Sequence, residues 1–169
     1  MLKISDPVAV SAVAGTGASS ALVDMYTRRI PNLLTLGVAS LGTLLAAAHL
    51  STVTPTQALL GFAIGLVLML PGHFIGATGA GDVKLFAALG TLLGPQGAAL
   101  AFMYTALAGG ALAIVIAMRR RLLWQTFERT ADLVRSGGAN AGDIERSTSN
   151  RFAYAPAIAI GSLVAALGL

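Results

Sequence analysis

Long apolar segments separated by short polar breaks make up most of the chain. Each segment is close to the roughly 20 residues that a helix needs to cross a hydrocarbon core of ~30 Å. Turn-prone residues at 51–55 and 71–72 end two segments, and residues 94–97 divide the longest one. The pattern predicts a single all-α domain, residues 1–169, with six transmembrane helices at 7–23, 33–50, 56–70, 82–93, 98–118 and 152–169.

The composition agrees with a membrane protein. Hydrophobic residues make up 56% of the chain and charged residues 11%, against roughly 45–50% and 25% in soluble domains. The sequence has no Cys, which excludes disulfides and a CxxC metal site. A net charge of +4 could indicate nucleic acid binding, but the Arg residues lie beside apolar segments, as in proteins oriented by a bilayer. We therefore expect a lipid bilayer, and not nucleic acid, as a partner.

The basic residues predict the orientation. All of them except Lys3 fall in the loops at 24–32, 71–84 and 119–151, which six helices would place on one side. Cytoplasmic loops carry the excess of Lys and Arg, so these loops are expected in the cytoplasm and both termini outside. Asp24 and Asp82 then share the cytoplasmic side, and the region 119–151 forms a cytoplasmic loop.

Two acids stand out in this apolar chain. Asp82 lies between stretches 30–81 and 85–118, which hold no Asp, Glu, Lys or Arg, and Asp24 ends the first apolar segment. Each has a structural explanation, Asp82 as a helix N-cap and Asp24 as a partner of Arg28. A carboxylate in such a setting is costly, however, and two on one membrane face favour a functional site.

A close pair of carboxylates can carry out peptide hydrolysis. In a partly dry site the two cannot easily both ionise, so they share a proton. The ionised member can activate water while the protonated member polarises a peptide carbonyl. The sequence does not assign these two roles, and the pair would titrate as a unit.

Neighbouring residues have candidate supporting roles. Gly79 and Gly81 would permit unusual backbone dihedrals and close approach of another chain beside Asp82. Lys84 could tune that carboxylate or extend to the lipid headgroups. Pro31 is expected to fix the start of the second helix, and Asn32 either forms a hydrogen bond near the site or belongs to a turn.

No metal site is expected from the histidines. His49 and His73 have no ligand-like neighbours in sequence, whereas catalytic metals are held by clusters of ligands. The glycines at 61 and 65, in the third segment, indicate close helix packing and not chemistry.

Three motifs, in order, resemble those of type IV prepilin peptidases. Asp24 with residues 29–35, Arg-Ile-Pro-Asn-Leu-Leu-Thr, is similar to the first-aspartate motif, and residues 79–85 resemble the GxGD motif that carries the second aspartate. Residues 154–161, Tyr-Ala-Pro-Ala-Ile-Ala-Ile-Gly, resemble the start of the last helix in that family.

The resemblance implies a multi-pass aspartyl endopeptidase of the bacterial inner membrane, with Asp24 and Asp82 as catalytic pair. Such enzymes remove the short basic leader of prepilins at the cytoplasmic face. The chain lacks the paired CxxC motifs of the larger bifunctional members and resembles the short form found with Flp (tight-adherence) pili. Neither N-methyltransferase activity nor a cofactor, zinc or S-adenosylmethionine, is therefore expected.

Two other functions compete with this one. A small proton- or ion-coupled transporter would also use intramembrane acids and glycine-broken helices, although no inverted repeat relates the two halves of the chain. A non-catalytic pilus-assembly membrane protein could keep the fold, although retention of both acids argues against it. The sequence leaves open which prepilin is cleaved and what the oligomeric state is.

Overall fold

The computed structural model describes residues 6–27, 29–76, 78–119 and 154–168, and these form helices joined by short connections. The predicted loop at 119–151 lies, beyond Arg119, outside the described residues. No strand occurs within the described ranges, in agreement with the predicted all-α class. These ranges contain five helices: α1 Pro7–Thr27, α2 Asn32–Ala47, α3 Pro55–Phe74, α4 Ala80–Arg119 and α5 Ala155–Ala166.

Helix α4 reverses its direction at Gly94. This residue has φ 68° and ψ −178°, a conformation that glycine adopts readily and that other residues rarely do, and Pro95 follows it. The rings of Phe86 and Phe102 pack edge to face with centroids 6.2 Å apart. A straight helix would separate these positions by about 24 Å, so the chain must double back between them. The predicted break at 94–97 is thus confirmed as a reversal between a first arm, residues 80–93, and a second arm, residues 95–119.

Within the described part of the chain, three helices are long and apolar enough to cross a membrane: α1, α3 and α4 over Ala80–Val115. The remaining two are apolar but shorter, with 16 residues in α2 and 12 in α5, or about 24 and 18 Å of helix. Helix α2 stops before His49, whose φ is 55°, and α5 stops before Gly168, whose φ is 72°. The protein is therefore a helical membrane protein, but the structure does not support six full spans or the placement of both termini outside.

The first arm of α4 is the centre of the bundle. Its residues 85–89 are buried on every side, with exposed fractions of 0–1%. A helix that is apolar all round belongs in the interior of a bundle, and α2, α3 and α5 pack around α4. Large apolar side chains such as Leu33, Leu59 and Leu107 face outwards, as expected where lipid is the solvent.

Glycines allow α3 and α4 to touch through their backbones. A Cβ added at Gly61 would overlap the carbonyl oxygen of Gly90, and one at Gly90 would overlap that of Gly61. A Cβ at Gly65 would lie 3.1 Å from the Cα of Ala87. The packing role predicted for the two α3 glycines is confirmed, and it follows the small-residue rule for helix contacts in membranes.

The bundle has one end without Lys or Arg among the described positions. Asp6 Oδ2 accepts a hydrogen bond from the backbone N–H of Thr52 at 2.7 Å, which ties the start of α1 to the α2–α3 connection. The reversal at Gly94 lies beside Val53 and Gln57. We call this region, residues 6, 48–54 and 94, the loop end.

Candidate active site

Asp24 and Asp82 lie at the opposite end of the bundle. Asp24 is in the last turn of α1 and Asp82 in the first turn of α4, with exposed fractions of 6% and 9%. They are close enough for their charges to interact. We call this region, residues 24–27, 29–32, 78–84 and 154–155, the acid end. The structure thus brings together the two acids that the sequence singled out.

The backbone before α4 holds Asp82. The Gly79 N–H donates to Asp82 Oδ2 at 3.1 Å. Helix α4 begins at Ala80, so Asp82 is its third residue and not the N-cap that the sequence analysis considered. A carboxylate at this position that bonds back to the N-cap residue is half of a capping box. This contact engages one carboxylate oxygen.

The start of α5 holds Asp24. The Ala155 N–H donates to Asp24 Oδ2 at 3.3 Å, across 131 positions of sequence. Asp24 lies at the C-terminal end of α1, where the helix dipole disfavours a negative charge. The predicted partner Arg28 lies outside the described residues, and no ion pair to Asp24 is present within the described part of the chain.

The two glycines before Asp82 allow close approach. A Cβ at Gly79 would lie 3.1 Å from Asp82 Oδ2, and a Cβ at Gly81 would lie 3.2 Å from the Cβ of Ile30. The expectation of unusual dihedrals is wrong, because neither glycine has a positive φ. Gly81 lies inside α4 and takes the ordinary conformation of a helix start. Space beside Asp82 and Ile30, and not backbone freedom, explains these glycines.

Lys84, Pro31 and Asn32 form a group beside the acids. Lys84 Nζ donates to Asn32 Oδ1 at 3.0 Å and so links α4 to α2. Pro31 is the N-cap of α2, with φ −63° and ψ 140°, and Asn32 is the first helical residue. The Lys84 side chain thus bonds to Asn32 and not to the carboxylate of Asp82. This hydrogen bond stabilises the packing of α2 against α4.

An apolar cavity of about 320 Å³ opens beside this lysine, between α2, α3 and the first arm of α4. Its polar part is formed by Lys84, Asn32 and Thr35, and its apolar wall by Leu36, Ala39, Phe62, Leu66 and Ala88. The cavity is therefore adjacent to the acid end but distinct in chemistry from the carboxylate pair.

The sequence analysis assigned no role to Tyr154 and Ala155, which complete the acid end. The Ala155 N–H donates to Asp24, and the ring of Tyr154 packs against Gly109 in the second arm of α4. These contacts join residues far apart in the chain, so spacing could not reveal them, and the only sequence signal was the motif at 154–161. No group of three His, Cys, Asp or Glu suited to a metal occurs within the described ranges.

The geometry defines a helical membrane protein with a buried carboxylate pair at one end of its bundle. The family model of the type IV leader peptidase family matches residues 12–114, more than half of the chain and a range that includes both acids. The chain belongs to this family, and its function is accordingly of the prepilin leader peptidase type. No curated protein and no solved structure matched the chain.

Proposed function

We propose that the protein is an aspartyl endopeptidase in which Asp24 and Asp82 are the catalytic pair. The observation that carries the proposal is the placement of two buried carboxylates, one in the last turn of α1 and one in the first turn of α4, near each other at the same end of the bundle. Proteolysis is the activity that membership of the leader peptidase family supplies. Among the described residues, the two carboxyl groups are suited to catalyse the hydrolysis of a peptide bond.

The two backbone donors prepare the pair for catalysis. Gly79 and Ala155 each fix one oxygen of one carboxyl group, which leaves the other oxygen of each for water or substrate. The ionised carboxylate takes a proton from a water molecule, and the resulting hydroxide attacks the scissile carbonyl. The protonated carboxyl group donates to the carbonyl oxygen, and the pair then delivers a proton to the leaving amine.

The proposed substrate is a type IV prepilin of the Flp type, cut behind its basic leader at the cytoplasmic face of the bacterial inner membrane. Arg29 and Lys84 lie at the acid end, and the second arm of α4 runs from Gly94 towards this end and finishes at Arg119. The loop end has no Lys or Arg at its described positions. This asymmetry supports a cytoplasmic acid end through the positive-inside rule. No N-methyltransferase step and no cofactor belong to the proposal.

A cleavage assay tests the proposal. The purified chain, in detergent or lipid, is mixed with a candidate Flp-type prepilin, and Asp24→Asn and Asp82→Asn are run in parallel. We expect cleavage by the parent and a fall of at least about a thousandfold in each variant, as for removal of a catalytic group that acts as part of a unit.

Asp6→Asn is the matched control, because it makes the same substitution at the other end of α1. It should cleave at the parental rate. Equal cleavage by Asp24→Asn or Asp82→Asn would remove that acid from the mechanism. Failure of the parent to cleave any cognate prepilin would instead favour a non-catalytic role in pilus assembly or a transport function.

A further inference from the structure

His73 lies next to the connection between α3 and α4 and takes no part in the catalytic step proposed for the acids. It stands in the last turn of α3, one residue before the helix ends at Phe74. Its Nδ1 lies 3.2 Å from the carbonyl oxygen of Thr78, in the connection. A carbonyl oxygen can only accept a hydrogen bond, so Nδ1 must carry a proton and donate it. His73 therefore holds the connection from the α3 side.

The peptide group that His73 contacts is the same one that contacts Asp82. The carbonyl group of Thr78 and the N–H of Gly79 belong to a single peptide unit, which is planar and rigid. Its oxygen accepts from His73 at 3.2 Å, and its N–H donates to Asp82 Oδ2 at 3.1 Å. One rigid group thus connects the imidazole to the carboxyl group proposed for catalysis.

The end of α3 holds Thr78 at a second point. The Thr78 N–H donates to the carbonyl oxygen of Gly72 at 3.1 Å. Gly72 also leaves room for the Thr78 side chain, because an added Cβ would lie 3.2 Å from its Oγ1 and 3.3 Å from its Cγ2. The backbone of Thr78 is therefore tied to α3 through both its N–H and its carbonyl group, and α3 sets the direction of the N–H that follows.

A purely structural role for this histidine predicts a different contact. A histidine in the last turn of a helix commonly bonds to the final carbonyl groups of that helix. Two of these carbonyls in α3 already have backbone donors: the Ile75 N–H donates to Pro71 at 3.2 Å, and the Gly76 N–H donates to His73 at 3.0 Å. The imidazole bonds instead to Thr78, five positions further along and outside the helix.

We propose that His73 is a positioning residue of the peptidase, which orients the Thr78–Gly79 peptide so that its N–H stays directed at Asp82. This inference rests on the proposed function. Rotation of that peptide plane would withdraw the N–H and turn the carbonyl oxygen, an acceptor, towards the carboxyl group. The hydrogen bond from His73 opposes this rotation. It also makes the N–H a better donor, because hydrogen bonds in a chain polarise one another.

The test removes the Nδ1 donor and then restores it. His73→Leu has no donor, whereas His73→Asn keeps one, because the amide nitrogen of Asn is as many bonds from Cβ as Nδ1 is. We expect kcat for prepilin cleavage to fall about three- to tenfold in His73→Leu, the rate equivalent of one ordinary hydrogen bond. It should return close to the parental value in His73→Asn. KM should change less than about twofold in both, since the substitutions act on Asp82 and not on substrate binding.

His49→Asn is the matched control, because it removes the other histidine of the chain, which lies at the loop end. Asn tolerates the positive φ of 55° at this position. This variant should cleave at the parental rate. The Tm in detergent is measured for every variant and activity is expressed per folded molecule, which separates a loss of folding from a loss of positioning.

A second pair of variants moves the same peptide by packing. Gly72→Ala places a Cβ against the Thr78 side chain and should lower kcat, because catalysis is sensitive to small displacements of the groups that hold an acid. Thr78→Ala removes both atoms that this Cβ meets most closely, including a buried hydroxyl without a hydrogen-bond partner in the described part of the chain. Combined with Gly72→Ala, it should restore most of the lost kcat, since the two changes act through one contact.

A parental kcat in His73→Leu would overturn the inference and leave the aspartyl mechanism intact. The inference would also fall if His73→Asn were as slow as His73→Leu, or if KM alone rose, which would make His73 a substrate-binding residue. Loss of folded His73→Leu together with parental cleavage by Gly72→Ala would count against it too. If the parent did not cleave, the proposed function and this inference would fall together. Cleavage abolished in Asp82→Asn, lowered in His73→Leu and restored in His73→Asn would support both.

Discussion

The two ends of α1 carry chemically identical side chains in opposite environments. At the loop end, Asp6 accepts hydrogen bonds from the backbone N–H groups of Thr52, Val8 and Ala9, at 2.7, 3.0 and 3.4 Å. It lies at a helix N-terminus, where the dipole stabilises a negative charge. At the acid end, Asp24 is buried in the last turn of the same helix, with one backbone donor from Ala155.

The difference separates a structural acid from a functional one. Asp6 has the donors and the dipole that make an Asp a good helix cap. Asp24 and Asp82 are buried, near each other and each held by a single backbone N–H, an arrangement that stability alone does not favour. Buried ionisable residues that cost stability are typical of functional sites, where activity and not stability requires them.

Packing follows the same division. The Gly61–Gly90 backbone contact lies towards the loop end, and a Cβ at Gly61 would also come within 2.9 Å of the carbonyl carbon of Gly94. Backbone atoms cannot move aside as a flexible side chain can. We therefore infer that contacts towards the loop end contribute most to the stability of the fold, whereas the acid end contains the residues proposed for catalysis.

The largest effect on stability is expected from Gly61→Ala or Gly90→Ala. Each added methyl group would meet backbone and force α3 and α4 apart, which should lower stability by about 3 kcal/mol or more and the Tm in detergent by about 6–12 °C. Activity per folded molecule should stay near the parental value. Gly37→Ala, at a position with nothing within 4 Å, is the control and should leave the Tm unchanged or raise it by an amount corresponding to about 1 kcal/mol at most. Equal Tm values for the three variants would contradict the division.

Much of this division could be predicted from the sequence. The lengths of the apolar segments predicted where the five helices lie, and the predicted break at 94–97 includes Gly94, where α4 reverses its direction. Successive spanning helices run in opposite directions, so the end of the first segment and the start of the fourth lie on the same side. This order predicted that Asp24 and Asp82 lie at one end of the bundle. The isolation of the two acids in an apolar chain made them candidates before any contact was known.

The remaining features depend on contacts between residues distant in the chain. The Asp6–Thr52 and Ala155–Asp24 hydrogen bonds and the fit of Tyr154 against Gly109 each join separate helices or connections, and no local pattern encodes them. The C-terminal ends of α2 and α5 were predicted too far along the chain, because hydropathy does not register the positive φ at His49 and Gly168 just beyond these helices.

A smaller effect, confined to activity, is expected from Gly81→Ala at the acid end. The added Cβ would lie 3.2 Å from the Cβ of Ile30, an apolar neighbour that can yield by a few tenths of an ångström. The resulting shift of the α4 start should move Asp82 relative to Asp24 and lower kcat by about tenfold, because catalysis is sensitive to sub-ångström displacement. The Tm should change by much less than in Gly61→Ala.

Relief of that contact provides the control. Ile30→Gly, which removes the Cβ that the added methyl group meets, should restore part of the lost kcat when combined with Gly81→Ala, since the two changes act through one contact. Gly15→Ala, which adds a methyl group to α1 with nothing within 4 Å, should cleave at the parental rate. A double variant no more active than Gly81→Ala would show that the contact with Ile30 does not set the position of Asp82.

The smallest effect concerns the charge of Asp6. Burial opposes its ionisation, but the backbone donors of Thr52, Val8 and Ala9 outweigh burial and hold the pKa of Asp6 below its ordinary value of 3.8. Because this pKa is lowered in the folded state, the stabilisation is present above the unfolded value and is lost as the pH falls through the folded one. Asp6→Asn keeps one accepting oxygen for the helix cap but loses the charge and the second acceptor, which receives the Thr52 N–H, so its Tm should lie below the parental Tm at pH 7. The difference should become smaller at a pH well below the lowered pKa of Asp6, when the parental Asp6 is protonated too. A Tm difference of the same size at that pH would show that the lost hydrogen bond, and not the charge, sets the effect, and the contrast with the acid end would then rest on burial alone.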